Sequence, residues 1–326
     1  MIIHRRRGWE IPEREATPEA VVLGRRALLG AGAGLGAMIA GPASAQWNIF
    51  GRRPNMPDLA ARKPLPAPMN AAYEPGRALT PELEATTYNN YYEFGESKSI
   101  YDAAKGFSVE PWTIEITGQV AKPRKIGFED LLKQVTLQER VTRHRCVERW
   151  AMTVPWVGFP LADLVKLVEP TSKAKYLIFT SAADKKTMPG LNRSYYPWPY
   201  VEGVTMQEAA NDLSFISVGM YGKVLPTQNG APLRLTLPWK YGFKHAKAIV
   251  KIEFSEKRPV SFWEALNGDE YGFWANINPA VAHPRWSQST ETLLGTDETV
   301  PTKIWNGYGE FVAGMYADKK NERLFA

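Results

Sequence analysis

Apolar and polar residues alternate most clearly in three stretches, each of which predicts a β-strand with one buried face. Thr113–Gln119 alternates Ile with Glu and Thr, Pro232–Pro238 alternates Leu with Arg and Thr, and Val250–Phe254 alternates apolar residues with Lys and Glu. Ala174–Ser181 is a short apolar run of strand length, and Glu139–Arg145 reads as a strand. Helical spacing appears at Leu161–Val168, where Leu161, Leu164, Val165 and Val168 share one face. Phe128–Val135 starts after Gly127 with Glu129 and Asp130 in the first turn, where the helix dipole favours acids. Thr205 with Glu208 three residues on forms a capping box. Strands and helices do not alternate strictly, so the pattern predicts a mixed α+β domain rather than a doubly wound parallel sheet.

The first 45 residues follow another pattern. A basic start (Arg5, Arg6, Arg7) leads to Arg25-Arg26, a glycine-rich apolar run from Ala27 to Gly41, and Ala43-Ser44-Ala45, which fits an A-x-A cleavage site. The apolar run is about 15 residues, shorter than the roughly 20 that a spanning helix needs, so residues 1–45 read as an export signal rather than a membrane anchor. The paired arginines resemble a twin-arginine signal, with Gly24, Leu28 and Gly30 where that motif has serine, phenylalanine and lysine. Export in the folded state suits a cofactor inserted beforehand and predicts a periplasmic address. Residues 46–85 are rich in Pro, Ala and Arg with little periodicity and read as an irregular surface arm. Residues 86–326 read as one domain.

Composition allows a full globular core, with 44% hydrophobic and 12% aromatic residues. Of the formal net charge of +6, residues 1–45 contribute +2 (six Arg against four acidic residues), which leaves +4 for the rest. That balance admits a nucleic-acid partner, but no basic cluster alternates with aromatics in a binding motif. Basic residues gathered around short motifs suit an anionic small molecule better. Neither GxxxxGKS nor GxGxxG occurs, so neither a P-loop nor a dinucleotide fold is supported. Nothing in the sequence calls for more than a monomer.

Cys146 is the only cysteine, within Arg143-His144-Arg145-Cys146-Val147-Glu148-Arg149-Trp150. It has no partner for a disulfide or for a cysteine-rich zinc site. Its sulfur is then a nucleophile, a ligand for a soft or highly charged metal, or a buried structural thiol. The flanking arginines are expected to favour the thiolate and to argue against apolar burial. On the predicted strand, His144 and Cys146 lie two apart and would point the same way, so a Cys–His pair stays open. Glu148 is a candidate proton carrier, or the salt-bridge partner of a neighbouring Arg.

Two further blocks offer chemistry. Tyr88-Asn89-Asn90-Tyr91-Tyr92-Glu93-Phe94-Gly95 carries hydrogen-bonding groups and stacking surfaces suited to a heterocycle, or else forms a tyrosine-rich turn on the core. Gln228-Asn229-Gly230-Ala231-Pro232-Leu233-Arg234 brings an Asn-Gly turn into a strand whose Arg234 faces out of the apolar alternation. It is followed by Pro238-Trp239-Lys240-Tyr241-Gly242-Phe243-Lys244-His245-Ala246-Lys247, where a loop glycine and three lysines suit a phosphate, though a plain basic surface loop looks similar. His283, in Ala282-His283-Pro284-Arg285-Trp286, reads as a packed turn residue.

Taken together, YNNYYEFG, RCVERWAMTVPWVGFPL, YVEGV, QNGAPLRL, PWKYGFK, EYGFWANINP and HPRWSQ resemble the molybdenum-containing catalytic subunits of periplasmic protein-methionine-sulfoxide reductases, in the sulfite oxidase superfamily. The resemblance runs from about Thr86 to Gly309. It implies a mixed α+β sulfite-oxidase-type molybdopterin-binding domain. By match to the family's motifs, Cys146 is the thiolate ligand of a molybdenum otherwise held by the dithiolene of molybdopterin. Asn89, Tyr92 and Glu93 would contact the cofactor, as would Asn229 and Arg234, while His245, Ala246 and Lys247 would grip its phosphate end. Ser181 stands where the family has threonine, and His245-Ala246 departs from the family's glycine-containing version.

The resemblance also implies reduction of methionine sulfoxide in oxidised periplasmic proteins, with electrons from a haem-containing membrane subunit fed by the quinone pool. The alternatives are a related molybdoenzyme acting on another small oxide or on sulfite, a metal-free thiol enzyme using Cys146, and a non-catalytic periplasmic binding protein.

Overall fold

The computed structural model describes residues 59–325, so the export signal at 1–45 and the first part of the arm lie outside the described residues. In chain order the strands are β1 (Thr113–Gly118), β2 (Arg124–Gly127), β3 (Gln138–Arg145), β4 (Trp150–Pro160), β5 (Tyr176–Ser181) and β6 (Val201–Thr205). They continue with β7 (Phe215–Met220), β8 (Lys223–Val224), β9 (Arg234–Thr236), β10 (Ile249–Ser255), β11 (Thr290–Leu293) and β12 (Thr299–Pro301). One sheet has the order β2-β1-β10-β5-β6, with β1 and β10 parallel and the other neighbours antiparallel. The other runs β12-β11-β4-β7-β8, with β3 also on β4 and β9 also on β7. Short helices join the strands, which makes the fold mixed α+β, as the sequence predicts.

Two of the alternating segments become half-buried strands, whereas the third, Pro232–Pro238, is buried throughout and only Arg234–Thr236 of it is a strand. Ile114 and Ile116 of β1 and Ile252 and Phe254 of β10 enter the main core, while Thr113 and Lys251 keep contact with water. The helix Leu161–Val168 packs Leu161, Leu164 and Val168 into the same core. At Met206–Ala210 the capping box forms: the Thr205 hydroxyl accepts from the Glu208 amide at 3.1 Å, and the Glu208 carboxylate accepts from the Thr205 amide at 2.8 Å. Residues 59–81 hold no strand beyond isolated bridges, yet they lie against the domain. Arg62 donates to the Val224 and Met220 carbonyls and pairs with Glu82, and Tyr73 is buried and donates to Asp212. Among the described residues no helix is long and apolar enough to cross a membrane.

β4 organises the second sheet. β3 covers one edge from Gln138 to Arg145, while β11 takes the start of the other edge and β7 its end. All eleven residues of β4 are buried. The loop between β3 and β4 therefore leaves a rigid, fully paired hairpin, and Cys146 is its first residue.

Candidate active site

The β3–β4 loop is a tight turn in which the Cys146 amide donates to the Trp150 carbonyl at 2.9 Å and the Arg149 amide donates to the Cys146 carbonyl at 3.0 Å. Arg149 closes it with φ +75°, an uncommon conformation for a side chain of its size. The turn folds the Glu148 amide back toward the sulfur, 3.4 Å from Cys146 Sγ, and Asn90 Nδ2 approaches the same atom at 3.3 Å. Two N–H groups thus point at one sulfur.

The flanking arginines do not: of the three only Arg145 still favours the thiolate, from a distance, and burial outweighs it. Strand alternation sends Arg143 and Arg145 to the other side of the hairpin, where Arg143 donates to the Pro75 and Asn306 carbonyls and Arg145 pairs with Glu291. Arg149 reaches Thr290. Cys146 is buried, among Ala85, Trp150, Met152 and other apolar side chains. Burial, with Glu148 adding to it, pushes the free thiol up to about 12. His144 lies two residues away, but its ring packs against Trp150 and His245 at centroid distances of 5.6 Å and 4.9 Å. Burial beside Arg234 and Lys247 holds that imidazole neutral, well below its usual range.

Cys146 lines a cavity of about 470 Å³ that gathers three of the quoted segments. Asn89, Tyr92 and Glu93 come from the tyrosine-rich block, Cys146 and Glu148 from the hairpin, and Asn229, Arg234 and Lys247 from the third motif. Gly230 lets the parts of that motif meet: it adopts φ +100°, and a Cβ there would sit 2.8 Å from the Lys247 Cβ. Ser181, His245 and Ala246 are buried but are not among the lining residues. The His245 ring nitrogen Nε2 faces the Leu237 carbonyl at 2.9 Å, and the Ala246 carbonyl accepts from the Leu235 amide.

Glu148 does form an ion pair, but with Lys98 (2.5 Å) rather than with a neighbouring Arg. Burial alone would raise its pKa; hydrogen bonds from Lys98, Asn90 and Trp150 outweigh this and hold it below the ordinary carboxylate range. Asn90 and Lys98 were not singled out in the sequence. Asn90 sits inside the tyrosine-rich block, whereas no pattern marks Lys98. Aromatic side chains, among them Tyr196, Trp263, Tyr271 and Trp286, complete the lining.

The three-lysine reading of the third motif needs correction. Lys240 is buried with its ammonium 2.5 Å from Glu208 and bonded to the Trp274 carbonyl and Asn276. Lys244 is buried against Glu202. Both carry core ion pairs, and only Lys247 of the three reaches the cavity. His283 is a packed turn residue, stacked on Trp286 at 3.9 Å.

Several buried polar atoms in and beside the cavity have no partner within the described residues: Asn89 Oδ1, Asn229 Oδ1, Arg234 Nε, Ser181 Oγ, His144 Nδ1 and His245 Nδ1. A buried, unsatisfied polar group costs about 1–3 kcal/mol, so folded chains rarely leave so many together without a ligand. Donors and acceptors beside Arg234 and Lys247 fit a polar heterocycle with an anionic end, and a sulfur approached by two N–H groups fits a metal. The residues present therefore suit a metal-bearing pterin with a phosphate.

A family model described as an oxidoreductase molybdopterin binding domain matches residues 102–263, a stretch that includes Cys146, Arg234 and Lys247. Fold and site thus define a molybdopterin-binding oxidoreductase of α+β type. Curated relatives include three proteins named protein-methionine-sulfoxide reductase catalytic subunit MsrP. That of Burkholderia mallei is 45% identical over 98% of this chain and 96% of its own, and that of Pseudomonas syringae pv. tomato 44% identical over 94% of each. The Ralstonia nicotianae protein is 45% identical over 98% of this chain and 92% of its own. This chain belongs to that family of reductase catalytic subunits, within the sulfite oxidase superfamily. Among solved structures, the sulfane dehydrogenase SoxCD from Paracoccus pantotrophus aligns with a TM-score of 0.43 and 16% identity, over 74% of this chain and 60% of that one.

Proposed function

We propose that this chain reduces methionine sulfoxide residues in oxidised proteins, using a molybdenum held by molybdopterin and by Cys146 Sγ. The observation that carries the reading is the cavity in which a buried sulfur, two cations and a set of partnerless polar atoms converge. The names of the relatives support the substrate. When bound, the cofactor supplies the two-electron redox chemistry for oxygen-atom transfer.

The rest falls to the chain. N–H groups of Glu148 and Asn90 stabilise negative charge on Sγ, which offsets the burial that disfavours it in the free thiol. Arg234 and Lys247 would supply positive charge for the anionic end of the cofactor, and Asn89 and Asn229 would hydrogen-bond its polar edge, while Ser181 Oγ lies buried outside the lining. Glu148 Oε2 is 3.9 Å from Sγ and paired with the Lys98 ammonium, and its own side chain is 30% exposed, so this carboxylate is placed to carry protons from solvent to the site. The aromatic lining offers an apolar surface for a methionine side chain and favourable contacts for its sulfur. Electrons come from a haem-containing membrane subunit, and the reaction takes place in the periplasm after folded export. The relatives' description as catalytic subunits and the Arg25-Arg26 segment support these two points.

The test is an assay of protein purified after export, with a chemical reductant against oxidised protein and with an electron acceptor against sulfite. Reduction of protein sulfoxide with little sulfite turnover is expected. Efficient sulfite oxidation with protein sulfoxide untouched would replace this reading with its sulfite-oxidising relative. Activity in metal-free protein whose Cys146 alkylates readily would instead indicate a thiol enzyme.

A further inference from the structure

The turn that carries Cys146 is held from behind by a buried network that the chemistry above does not use. The Arg145 guanidinium is fully buried on the face of β3 opposite the cavity. It donates from Nη1 to the carbonyl of Cys146, from Nε to Glu291 Oε2 at 3.1 Å, and from Nη2 to Gln288 Oε1 at 2.8 Å. The other carboxylate oxygen of Glu291 accepts from Arg77 Nη1 at 2.6 Å. Arg77 in turn grips β4 through the Thr153 hydroxyl at 2.7 Å and the Met152 carbonyl at 3.1 Å. One residue along the turn, the Val147 carbonyl accepts from Gln288 Nε2 and Trp286 Nε1, each at 2.9 Å.

Two consecutive carbonyls of the sulfur-bearing turn are thus fixed by side chains, and Glu291 stands at the centre of what fixes them. Its carboxylate neutralises two arginines from distant parts of the chain while only 2% exposed. Without that charge, the Arg145 guanidinium would be a buried cation with neutral partners only. Its hold on the Cys146 carbonyl would compete with the need to find a counter-charge. A turn with two pinned carbonyls has little freedom to rotate its Cα–Cβ bond direction, so the network sets where Sγ points.

We propose that Glu291 is a positioning residue for the reaction: through Arg145, and with Gln288 on the next carbonyl, it fixes the direction in which Cys146 presents its sulfur to the metal. The proposal rests on Cys146 being the metal ligand. Groups one layer behind a ligand characteristically set its orientation and tune the metal it holds.

Glu291→Gln keeps the size of the side chain and removes the charge. In holoenzyme with wild-type molybdenum content, kcat is expected to fall by about ten- to a hundredfold with KM changed by less than about twofold. The paramagnetic resonance signal of the partly reduced enzyme should shift its g values, and Glu291→Asp should restore most of both. A normal kcat and an unshifted signal in Glu291→Gln would overturn the proposal. If that variant does not fold, Gln288→Met leaves both ion pairs in place, removes one of the two donors to the Val147 carbonyl and takes one acceptor from Arg145. It should shift the signal in the same direction by less, since Trp286 still holds that carbonyl, and an unshifted signal there overturns the part of the proposal that assigns Gln288 and the Arg145 network a hold on the sulfur. Cys146→Ser, run in parallel, keeps the two ideas apart. Retained activity in Cys146→Ser sinks the metal-ligand reading itself, whereas its loss beside unaltered Glu291→Gln and Gln288→Met sinks only the role of Glu291.

Discussion

Four cations between Arg234 and Lys247 lie close together in sequence and part company in space. Lys240 and Lys244 point into the core, where Glu208 and Glu202 neutralise them. Arg234 and Lys247 line the cavity, and among the described residues neither forms an ion pair with a carboxylate. Arg234 instead donates to the Asn229 carbonyl at 2.8 Å, and burial pulls it down to about 10. Lys247 lies over the rings of Tyr91 and Tyr200 at 5.2 Å and 5.9 Å. A charge matched inside the fold serves the fold. A charge in a cavity without a direct ion pair, as with Arg234 and with Lys247, on which the buried Glu93 carboxylate acts only through space, leaves a place for an anion.

The comparison breaks most visibly at Lys240. Lys240→Met leaves the Glu208 carboxylate buried without its counter-charge, and chemical denaturation should show a loss of about 3–5 kcal/mol. Adding Glu208→Gln should recover much of it. A Lys240→Met protein as stable as wild type would show that the core pair is idle.

Lys247→Met and Arg234→Met should behave differently. Arg234→Met strands no carboxylate, so the melting temperature of cofactor-free protein should hold or rise. Lys247→Met removes the cation that favours the buried Glu93 carboxylate and should cost less stability than Lys240→Met, whose pair is in direct contact. Affinity for the cofactor should instead drop by about 1.5–3 kcal/mol, roughly ten- to a hundredfold. Cofactor content measured after dialysis checks this, and unchanged retention would remove these cations from the binding site.

A smaller effect sharpens the electrostatic picture at His245, which burial, His144 and Arg234 hold neutral, well below its ordinary range. Below about pH 6.5 the unfolded chain takes up a proton here that the native imidazole refuses, so this residue makes stability fall as pH drops. His245→Gln should remove that contribution, about 1.4 kcal/mol per pH unit between roughly pH 6 and 5. Denaturation of both proteins across that range gives the difference, and parallel curves would mean that the native ring takes up the proton as well.

The sequence shows the fold best where a strand has one wet face. β1 and β10 fall within a residue or two of the alternating stretches, and the helix Leu161–Val168 is where its apolar stripe puts it. β4 and β7 are buried on both faces, so they carry no alternation to read. Around the sulfur, residues close in sequence mislead. Arg143 and Arg145 flank Cys146 yet strand geometry turns them away, while Asn90 and Lys98 arrive from some fifty positions earlier and Glu291 from well beyond. Which of the lysines at 240, 244 and 247 meets solvent, carboxylate or cavity depends on Glu202 and Glu208, and no spacing announces those contacts.

The most direct measurement is X-ray absorption at the molybdenum edge, on wild type and on Cys146→Ser purified after export. Molybdenum is expected in the wild type, with a sulfur shell that loses one neighbour in the variant, together with loss of sulfoxide reduction. An identical sulfur shell in the two proteins, or no molybdenum in the wild type, would contradict it.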